Sequence, residues 1–189
     1  MLIRLATPTD APGCLDIYRP VVESSHSSFE TEVPGETVFA DRMARFLATH
    51  PWLVAEDGGR IAGYAYAAPF KDRTAYQWTA EVSVYIASDA RRRGLGRLLY
   101  RALFRCMRGQ GYINAVGIIA QPNEASVALH ESLGFERVAW LPKPGFKLGR
   151  WHDVGWWWLA LSPAADAPVP PTPLAACREQ AERWIAGAP

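Results

Sequence analysis

Apolar residues recur every three or four positions in several stretches of the chain, which is the pattern of helices that bury one face. Four helices are predicted: behind the N-cap candidate Asp10, over residues 36–49, from Leu95 into the sequence RGQGY, and over residues 123–133. The third is the clearest, because its apolar stripe continues for eleven positions from Leu95. Gly109 and Gly111 are natural breakers at its end.

Short apolar or alternating runs bounded by turn residues predict seven strands, over residues 2–6, 52–56, 60–70, 75–87, 113–119, 135–140 and 152–161. The sequence EDGGR between the second and third runs is typical of a hairpin turn. Strands and helices are mixed without strict alternation. This order predicts an α+β fold, with a mixed, mostly antiparallel sheet flanked by helices in a single domain.

The composition changes after Leu161, where the sequence SPAADAPVPPTP begins. A proline-rich segment of this kind is expected to stay extended. The sequence LAACREQAERWIAG behind it is suited to a short amphipathic helix and contains nothing that suggests chemistry. We therefore assign residues 1–161 to the folded domain and residues 162–189 to a proline-rich tail.

Charge and cysteine content argue against several classes of function. The formal net charge is +1, which gives no overall basis for binding nucleic acid or an anionic membrane. No run approaches the roughly 18 apolar residues of a membrane span, and the N-terminus has no secretory apolar region. The three cysteines are far apart and form no CxxC or Cys/His pair, so we expect neither a disulfide framework nor a metal site. The expected location is the cytoplasm.

The turn RRRGLG, between a predicted strand and the clearest helix, is the first candidate for chemistry. Backbone N–H groups and the positive end of a helix dipole converge at such a position, which suits a phosphate group. Glycine allows that close approach, since it has no side chain. The spacing Arg91-x-x-Gly94-x-Gly96 is neither the P-loop nor the dinucleotide fingerprint. An ordinary basic helix start is the alternative.

This turn resembles the acetyl-CoA pyrophosphate loop of the GNAT superfamily of N-acetyltransferases. The segment NEASVALHESLGFERV resembles a second core segment of that superfamily. The blocks PWLVAE, AGYAYAAPFKDRTAYQWTAEVSVYI and GFKLGRWHDVGWW resemble its phosphinothricin and methionine sulfoximine acetyltransferase branch. The resemblance covers about residues 3–161 and implies the GNAT fold.

The resemblance also implies a binding site for acetyl-CoA as cosubstrate. It assigns the backbone of the strand segment Val84, Tyr85 and Ile86 to the pantetheine arm, and Asn123 to a cofactor contact near the next helix. It assigns the pyrophosphate to Arg92, Arg93, Gly94, Leu95, Gly96 and Arg97.

Glu81 is the candidate general base. On a regular strand it shares one face with Ser83 and Tyr85, and a carboxylate in so apolar a strand is costly to bury without a partner. The alternative is that it faces solvent or pairs with an arginine. The resemblance aligns Glu81 with the glutamate that removes a proton from the substrate ammonium through a water. Desolvation raises a carboxyl pKa, which suits that role.

His130 is the second candidate catalytic residue. It lies seven residues after Asn123 on the predicted helix, in a stripe that also contains Ser126. A lone histidine on a helix is more often structural or solvated. Many GNAT enzymes have a tyrosine at this place that acts as general acid toward the leaving thiolate, and the phosphinothricin branch has histidine. Whether His130 donates a proton or contacts substrate stays open at this point.

The loop FKDRTAY, before the strand of Glu81, is the candidate acceptor site. It offers Lys71, Arg73 and Tyr76, and an arginine can hold a carboxylate or phosphinate through two hydrogen bonds. A solvated charged loop is the alternative. Phe29 and Tyr85 are further candidates for substrate binding. Thr31, Lys147 and His152 fall in other family-like blocks and are weaker candidates.

The expected activity is acetyl-CoA-dependent N-acetylation of the α-amine of a small amino acid or analogue, by direct attack in a ternary complex. No cysteine or serine lies in a nucleophile motif. Alternatives are another amine acceptor (a polyamine, an aminoglycoside or a peptide N-terminus) and a non-catalytic acyl-CoA-binding module. A nucleic-acid binder is a further alternative, against which the net charge argues. The tryptophan-rich sequence GWWWLAL would be hazardous at a bare sheet edge, so we expect a homodimer.

Overall fold

The computed structural model describes residues 1–187 and contains seven strands and five α-helices in that range. In chain order these are β1 (Leu2–Leu5), α1 (Ala11–Ser24), α2 (Glu36–Leu47), β2 (Trp52–Asp57), β3 (Arg60–Pro69), β4 (Thr79–Ile86), α3 (Leu95–Gln110), β5 (Asn114–Ala120), α4 (Glu124–Glu131), β6 (Glu136–Lys147), β7 (Arg150–Ala160) and α5 (Arg178–Ala186). The α+β prediction is confirmed.

The strands form one sheet in the order β1-β2-β3-β4-β5-β7-β6. All neighbouring pairs among the described residues are antiparallel except β4 and β5. This parallel pair contains three residue pairs, the last of which joins Glu81 to Val116. Beyond that point β4 continues to Ile86 and β5 to Ala120 without pairing with each other. The centre of the sheet is therefore open along more than half of each of these two strands.

The register between β3 and β4 is continuous from Pro69↔Ala80 to Gly63↔Ile86, so no bulge rotates the β4 side chains. Strand β4 begins at Thr79, later than the sequence predicted, because a 3₁₀ turn at Thr74–Tyr76 occupies the expected start.

The hairpin of β6 and β7 is longer than predicted, since its two bulges accommodate the sequence between the two expected strands. Strand β6, not the tryptophan-rich β7, forms the sheet edge. The expectation that the tryptophan-rich strand would lie at the sheet edge, from which a homodimer was inferred, is therefore wrong. Trp157 is buried, and Trp156 and Trp158 are half-buried.

Asp10 precedes α1 as predicted, but its carboxylate does not cap the helix through a side-chain bond. It accepts two hydrogen bonds from the Arg4 guanidinium, at 2.8 and 2.7 Å, and one from the backbone N–H of Thr7. Arg4 also donates to Glu56. Asp10 thus ties the start of α1 to the edge strand β1 and, through Arg4, to β2.

Helix α3 packs a long apolar face, which includes Leu99 and Leu103, against the sheet. Its ends are set by two glycines in the left-handed region, Gly94 at φ +76° and Gly111 at φ +97°. Gly109, by contrast, is inside the helix and does not terminate it. A side chain at Gly109 would collide with the indole of Trp184 on α5.

The C-terminal segment packs on the domain core. Leu174, Ala181 and Ile185 are buried in the same apolar cluster as α3. The buried amide of Gln110 donates to the carbonyls of Thr49 and Thr172, at 2.9 and 2.8 Å. The helix suggested by the sequence is present as α5, and it is held to α3 by apolar and polar contacts. Residues 188 and 189 of the predicted tail lie outside the described residues.

No helix within residues 1–187 has the length and apolar character needed to cross a bilayer.

The contact between Gly109 and Trp184 makes a stability prediction. In an ordinary helix interior, Gly→Ala stabilises by about 0.5–1 kcal/mol. Here we expect Gly109→Ala to lower the free energy of unfolding by about 1–3 kcal/mol, because the added methyl meets the indole. Urea titration measures this change.

The matched control is the same substitution in a Trp184→Ala background. With the indole removed, Gly109→Ala should become stabilising. A destabilising effect of equal size in both backgrounds would contradict the assigned contact.

Candidate active site

A cleft of about 1490 Å³ occupies the gap between the unpaired halves of β4 and β5. The β4 segment from Val82 to Ile86 forms one wall, and Ile118 and Ile119 of β5 face it. Helices α1, α3 and α4 contribute the remaining sides. The backbone groups of β4 on this side have no ladder partner beyond Glu81, so they can bind a ligand. The Ile86 carbonyl is an exception, since it accepts from Arg91 Nε at 3.3 Å.

The turn before α3 lies at one end of the cleft. Gly94 is the residue before the helix, in the left-handed conformation, and Arg92 also has a positive φ of 61°. The first-turn amides of α3 have no acceptor within the helix and lie in the field of its dipole. Leu95 is buried and forms part of the cleft wall with Gly96.

Glycine is required at Gly94 and at Gly96 for different physical reasons. A Cβ added at Gly94 would meet only open space, so its backbone angle is what requires glycine. At Gly96 a Cβ would lie 3.1 Å from a Leu129 methyl, so this glycine allows α3 and α4 to approach closely. The sequence interpretation attributed both glycines to phosphate access.

Arginines surround the mouth of the cleft. Arg92 and Arg97 line it, as predicted, and Arg93 is exposed beside it. Two arginines that the sequence interpretation did not assign, Arg60 and Arg91, also line the mouth, where Arg60 is ion-paired with Asp89 at 2.7 Å. The resulting cationic rim is suited to a ligand with several phosphates.

Neighbouring side chains of β4 point to opposite faces of the sheet. The Tyr85 ring contacts Tyr18 of α1, with centroids 5.1 Å apart, while Val84 lies toward Gly96 of α3. Glu81 shares the face of Tyr85 because the register is regular. Val84, Tyr85 and Ile86 all line the cleft.

Asn123 lines the cleft, but both ends of its side chain have protein partners. Its oxygen accepts from the backbone N–H of Ser126 at 3.1 Å, which caps α4, and its nitrogen donates to the Ser27 hydroxyl at 3.2 Å. Asn123 therefore holds the loop after α1 against the start of α4.

Glu81 is half-buried at the last β4–β5 pair, where the strands part. Burial raises the pKa of its carboxyl above the ordinary value, and the nearby Lys71 ammonium lowers it in part. A carboxylate with a raised pKa near the end of the cleft is suited to accept a proton.

His130 is 3% exposed on α4 and lines the cleft. Its Nδ1 lies 2.8 Å from the Ser126 carbonyl oxygen, and its Nε2 lies 3.1 Å from the Tyr100 hydroxyl. Burial lowers the pKa of the imidazole, against a smaller opposing effect of the Ser126 carbonyl. Gly117 of β5 makes room for the ring, since a Cβ there would lie 2.6 Å from it.

Tyr100 was missed by the sequence interpretation. It is fully buried on α3, yet it contributes to the cleft wall. The sequence signal that could have identified it is a tyrosine hydroxyl within the apolar stripe of α3, four residues after Gly96.

The predicted acceptor residues Lys71 and Tyr76 are part of an aromatic group near Glu81. The Lys71 ammonium lies 5.0 Å from the ring centre of Phe70 and 5.5 Å from that of Trp156, and Tyr76 packs edge-on against Phe70. Arg73 is exposed at the start of the same turn.

Phe29 is exposed and packs against Gly145 of the β6–β7 hairpin. Two weaker candidates hold its loop. Lys147, which is buried, donates to the Ser28 carbonyl at 2.7 Å, and His152 stacks on His26. Thr31 belongs to the same loop.

The cleft fits acetyl-CoA in chemistry and shape. It combines free strand amides for an extended arm, a left-handed turn at a helix N-terminus for a pyrophosphate, and a cationic rim. Within residues 1–187 no three His, Cys, Asp or Glu side chains form a group that would hold a metal ion.

Comparisons with known proteins agree with this geometry. A family model described as "Acetyltransferase (GNAT) domain" matches residues 3–156. The chain is 41% identical over 172 residues to a phosphinothricin N-acetyltransferase from Streptomyces viridochromogenes, covering 91% of this chain and 92% of that protein. It is 38% identical over 171 residues to an L-methionine sulfoximine/L-methionine sulfone acetyltransferase from Pseudomonas paraeruginosa, covering 88% and 98%.

A solved structure gives the same result in three dimensions. The crystal structure of a GNAT superfamily phosphinothricin acetyltransferase from Sinorhizobium meliloti in complex with acetyl-CoA superposes with a TM-score of 0.85 at 31% identity, covering 91% of this chain and 97% of that one. Sequence and fold therefore agree that this chain is an acetyl-CoA-dependent acyltransferase and belongs to the GNAT acetyltransferase family.

Proposed function

We propose that this enzyme acetylates the α-amine of a small amino acid or analogue, of the phosphinothricin, methionine sulfoximine or methionine sulfone type. The observation that carries the proposal is the half-buried Glu81 with a cationic partner, Lys71, at the point where β4 and β5 part. A base and a cation so placed suit an acceptor with an amine and an anionic group. The names of the relatives support the same class of acceptor.

In this proposal the cleft residues hold acetyl-CoA, which supplies the acetyl thioester. The backbone of Val84, Tyr85 and Ile86 binds the extended arm, and Asn123 contacts it from α4. The three arginines among the residues of the turn and the helix start supply positive charge. The pyrophosphate is held by Arg92, Arg93, Gly94, Leu95, Gly96 and Arg97.

Glu81 acts as the general base. An ammonium group has no lone pair, so the amine must lose a proton before it attacks the acetyl carbonyl carbon. Glu81 takes this proton, through a water, and its raised pKa makes it a stronger base than an exposed carboxylate. Direct attack requires no covalent enzyme intermediate.

The acceptor is held near Glu81 by Lys71, Arg73 and Tyr76, with Phe29 and Tyr85 as apolar walls. Lys71 rests on Phe70, which restricts its ammonium to one region. A cationic pocket of this kind repels polyamines and aminoglycosides, and so favours an amino acid that carries an anionic group.

We also propose a homodimer in a reducing, cytoplasmic setting, with residues 1–161 as the catalytic unit. The β6–β7 hairpin exposes apolar side chains next to a sheet edge, with Phe146 and Trp151 both more than half exposed. Such a surface favours a second copy of the chain. The three cysteines are free and buried, which suits a reducing compartment.

The first prediction from the proposed function concerns Glu81. Glu81→Gln should lower kcat with phosphinothricin or methionine sulfoximine by about 10²-fold or more, because it removes the base while preserving the shape of the side chain. The dissociation constant of acetyl-CoA, measured by calorimetry, should stay within about twofold, and Glu179→Gln on α5 is the matched control. Wild-type turnover of Glu81→Gln would overturn the assigned base, and absence of turnover of any amine by the native enzyme would overturn the proposed activity.

The second prediction concerns pH. The Lys71 ammonium holds the pKa of Glu81 down in part. Lys71→Met removes this effect, so the pKa rises, less of the base is deprotonated at a given pH, and the acid limb of kcat/KM moves to higher pH. Lys71→Arg keeps the charge and should leave the limb near its original position. A limb that moves to lower pH in Lys71→Met would contradict the assignment.

The third prediction concerns assembly. Sedimentation at micromolar concentration should give twice the 20.9 kDa mass of the chain. Combining Phe146→Glu with Trp151→Glu should yield a monomer, because two charges would be buried at the interface. Val38→Glu on α2, at a similarly exposed apolar site, should remain dimeric. A monomeric native protein refutes the proposal.

A further inference from the structure

The hydroxyl of Tyr100 and the imidazole of His130 form a buried pair in the cleft wall. Their polar atoms are 3.1 Å apart, and the rings meet edge to face. Tyr100 lies on α3 and His130 on α4, so the pair joins the two helices that begin at the cofactor cleft.

The direction of each hydrogen bond in this pair follows from the Ser126 carbonyl. A carbonyl oxygen only accepts, so Nδ1 of His130 must carry a proton to bind it at 2.8 Å. Burial favours the neutral ring, and a neutral ring has one N–H. Nε2 is therefore an acceptor, and the Tyr100 hydroxyl donates to it.

The Tyr100 oxygen then has only lone pairs to offer to a further partner. Its proton is directed at His130, so a ligand that binds the oxygen must be a hydrogen-bond donor. Packing fixes the arrangement, because Gly117 admits the His130 ring and Phe135 lies 4.9 Å from it, centroid to centroid.

The pair also lies within electrostatic range of the proposed base. Burial raises the pKa of Tyr100 well above the ordinary value, and the Tyr66 hydroxyl and the Glu81 carboxylate add to this effect. Glu81 is on the α1 face of the sheet and directly precedes Val82, the first β4 residue of the cleft wall, while Tyr100 lines the cleft from α3.

We propose that the Tyr100 oxygen accepts a hydrogen bond from the N–H of the attacking amine, and that His130 is a positioning residue that orients the Tyr100 hydroxyl. The proposal rests on the proposed function, because it concerns the amine that Glu81 deprotonates. Tyr100 becomes a further catalytic residue, and the proton stays on its oxygen throughout.

The same geometry disfavours proton donation from this pair to the leaving thiolate. Neutral His130 presents no proton at Nε2, and its Nδ1 proton is held by Ser126. Loss of the Tyr100 proton would place a phenolate near the Glu81 carboxylate, in a buried setting where like charges repel strongly. A hydrogen-bond acceptor role requires no such charge.

Substitution of Tyr100 tests its proposed role through the steady-state kinetics with the acceptor amine. Tyr100→Phe should lower kcat/KM for methionine sulfoximine by about 3- to 10-fold, the effect of one hydrogen bond. The dissociation constant of acetyl-CoA by calorimetry should stay within about twofold. Tyr112→Phe is the control for loss of a buried tyrosine hydroxyl away from the cleft, and should have native kinetics. A Tyr100→Phe enzyme with unchanged acceptor kinetics would overturn the proposal.

Two replacements of His130 separate positioning from proton donation. Gln places an acceptor oxygen where Nε2 was, so His130→Gln should retain most activity, whereas His130→Leu should match Tyr100→Phe. In the Tyr100→Phe background, His130→Leu should cause no further loss. Equal inactivity of the Gln and Leu variants, with an additional loss in the double variant, would show that His130 handles a proton itself.

Nitrogen NMR of the native protein tests the hydrogen-bond direction without any turnover. Between about pH 6 and 8, His130 should have a protonated Nδ1 and an unprotonated Nε2, and Tyr100→Phe should shift only the Nε2 resonance. His50, buried away from the cleft, is the internal control. A protonated Nε2 would overturn this inference even if Glu81 proves to be the base, while a failed Glu81 assignment would leave the NMR result standing.

Discussion

The parallel ladder between β4 and β5 ends after three residue pairs, and this short pairing determines where chemistry is possible. A central strand normally satisfies its backbone groups on both sides, and unpaired groups in a protein interior are costly. Here the free edge of β4 faces a cleft, so a ligand with amide groups can replace the missing strand. The helices α3 and α4 begin at the same opening, which brings their N-terminal amides to that ligand.

The same opening joins the two faces of the sheet. Alternation along β4 sends Glu81 toward the α1 side, while Tyr100 and His130 approach from the α3 side. In a fully paired sheet these groups would be separated by the backbone. In the proposed reaction, the parting of the strands would let an acceptor near Glu81 reach a thioester in the cleft. Burial raises the pKa of Glu81 and lowers that of His130, so each group is less readily charged than in water.

Local patterns predicted the elements but not the contacts between them. The apolar stripe of α3, the alternation around Glu81 and the turn at Gly94 are short-range features, and the sequence interpretation found all three. Gly109 and Tyr100 were misread or missed because their roles depend on partners 75 and 30 residues away, Trp184 and His130. A helix-breaking residue and a packing residue look alike in the sequence when the partner is unknown.

Helix α3 connects the C-terminal segment to the site. Its 16 residues span about 24 Å, with the left-handed turn at Gly94 at one end and Gly109 near the other. The Trp184 indole packs on Gly109, and Arg105 donates to the carbonyls of Trp184 and Ile185, so this end is fixed against α5. A helix moves nearly as a rigid body, so a rotation at that end would displace Tyr100 from His130. The matched family region comprises residues 3–156. The segment beyond it thus restrains helix α3, which begins at the Gly94 turn and carries Tyr100.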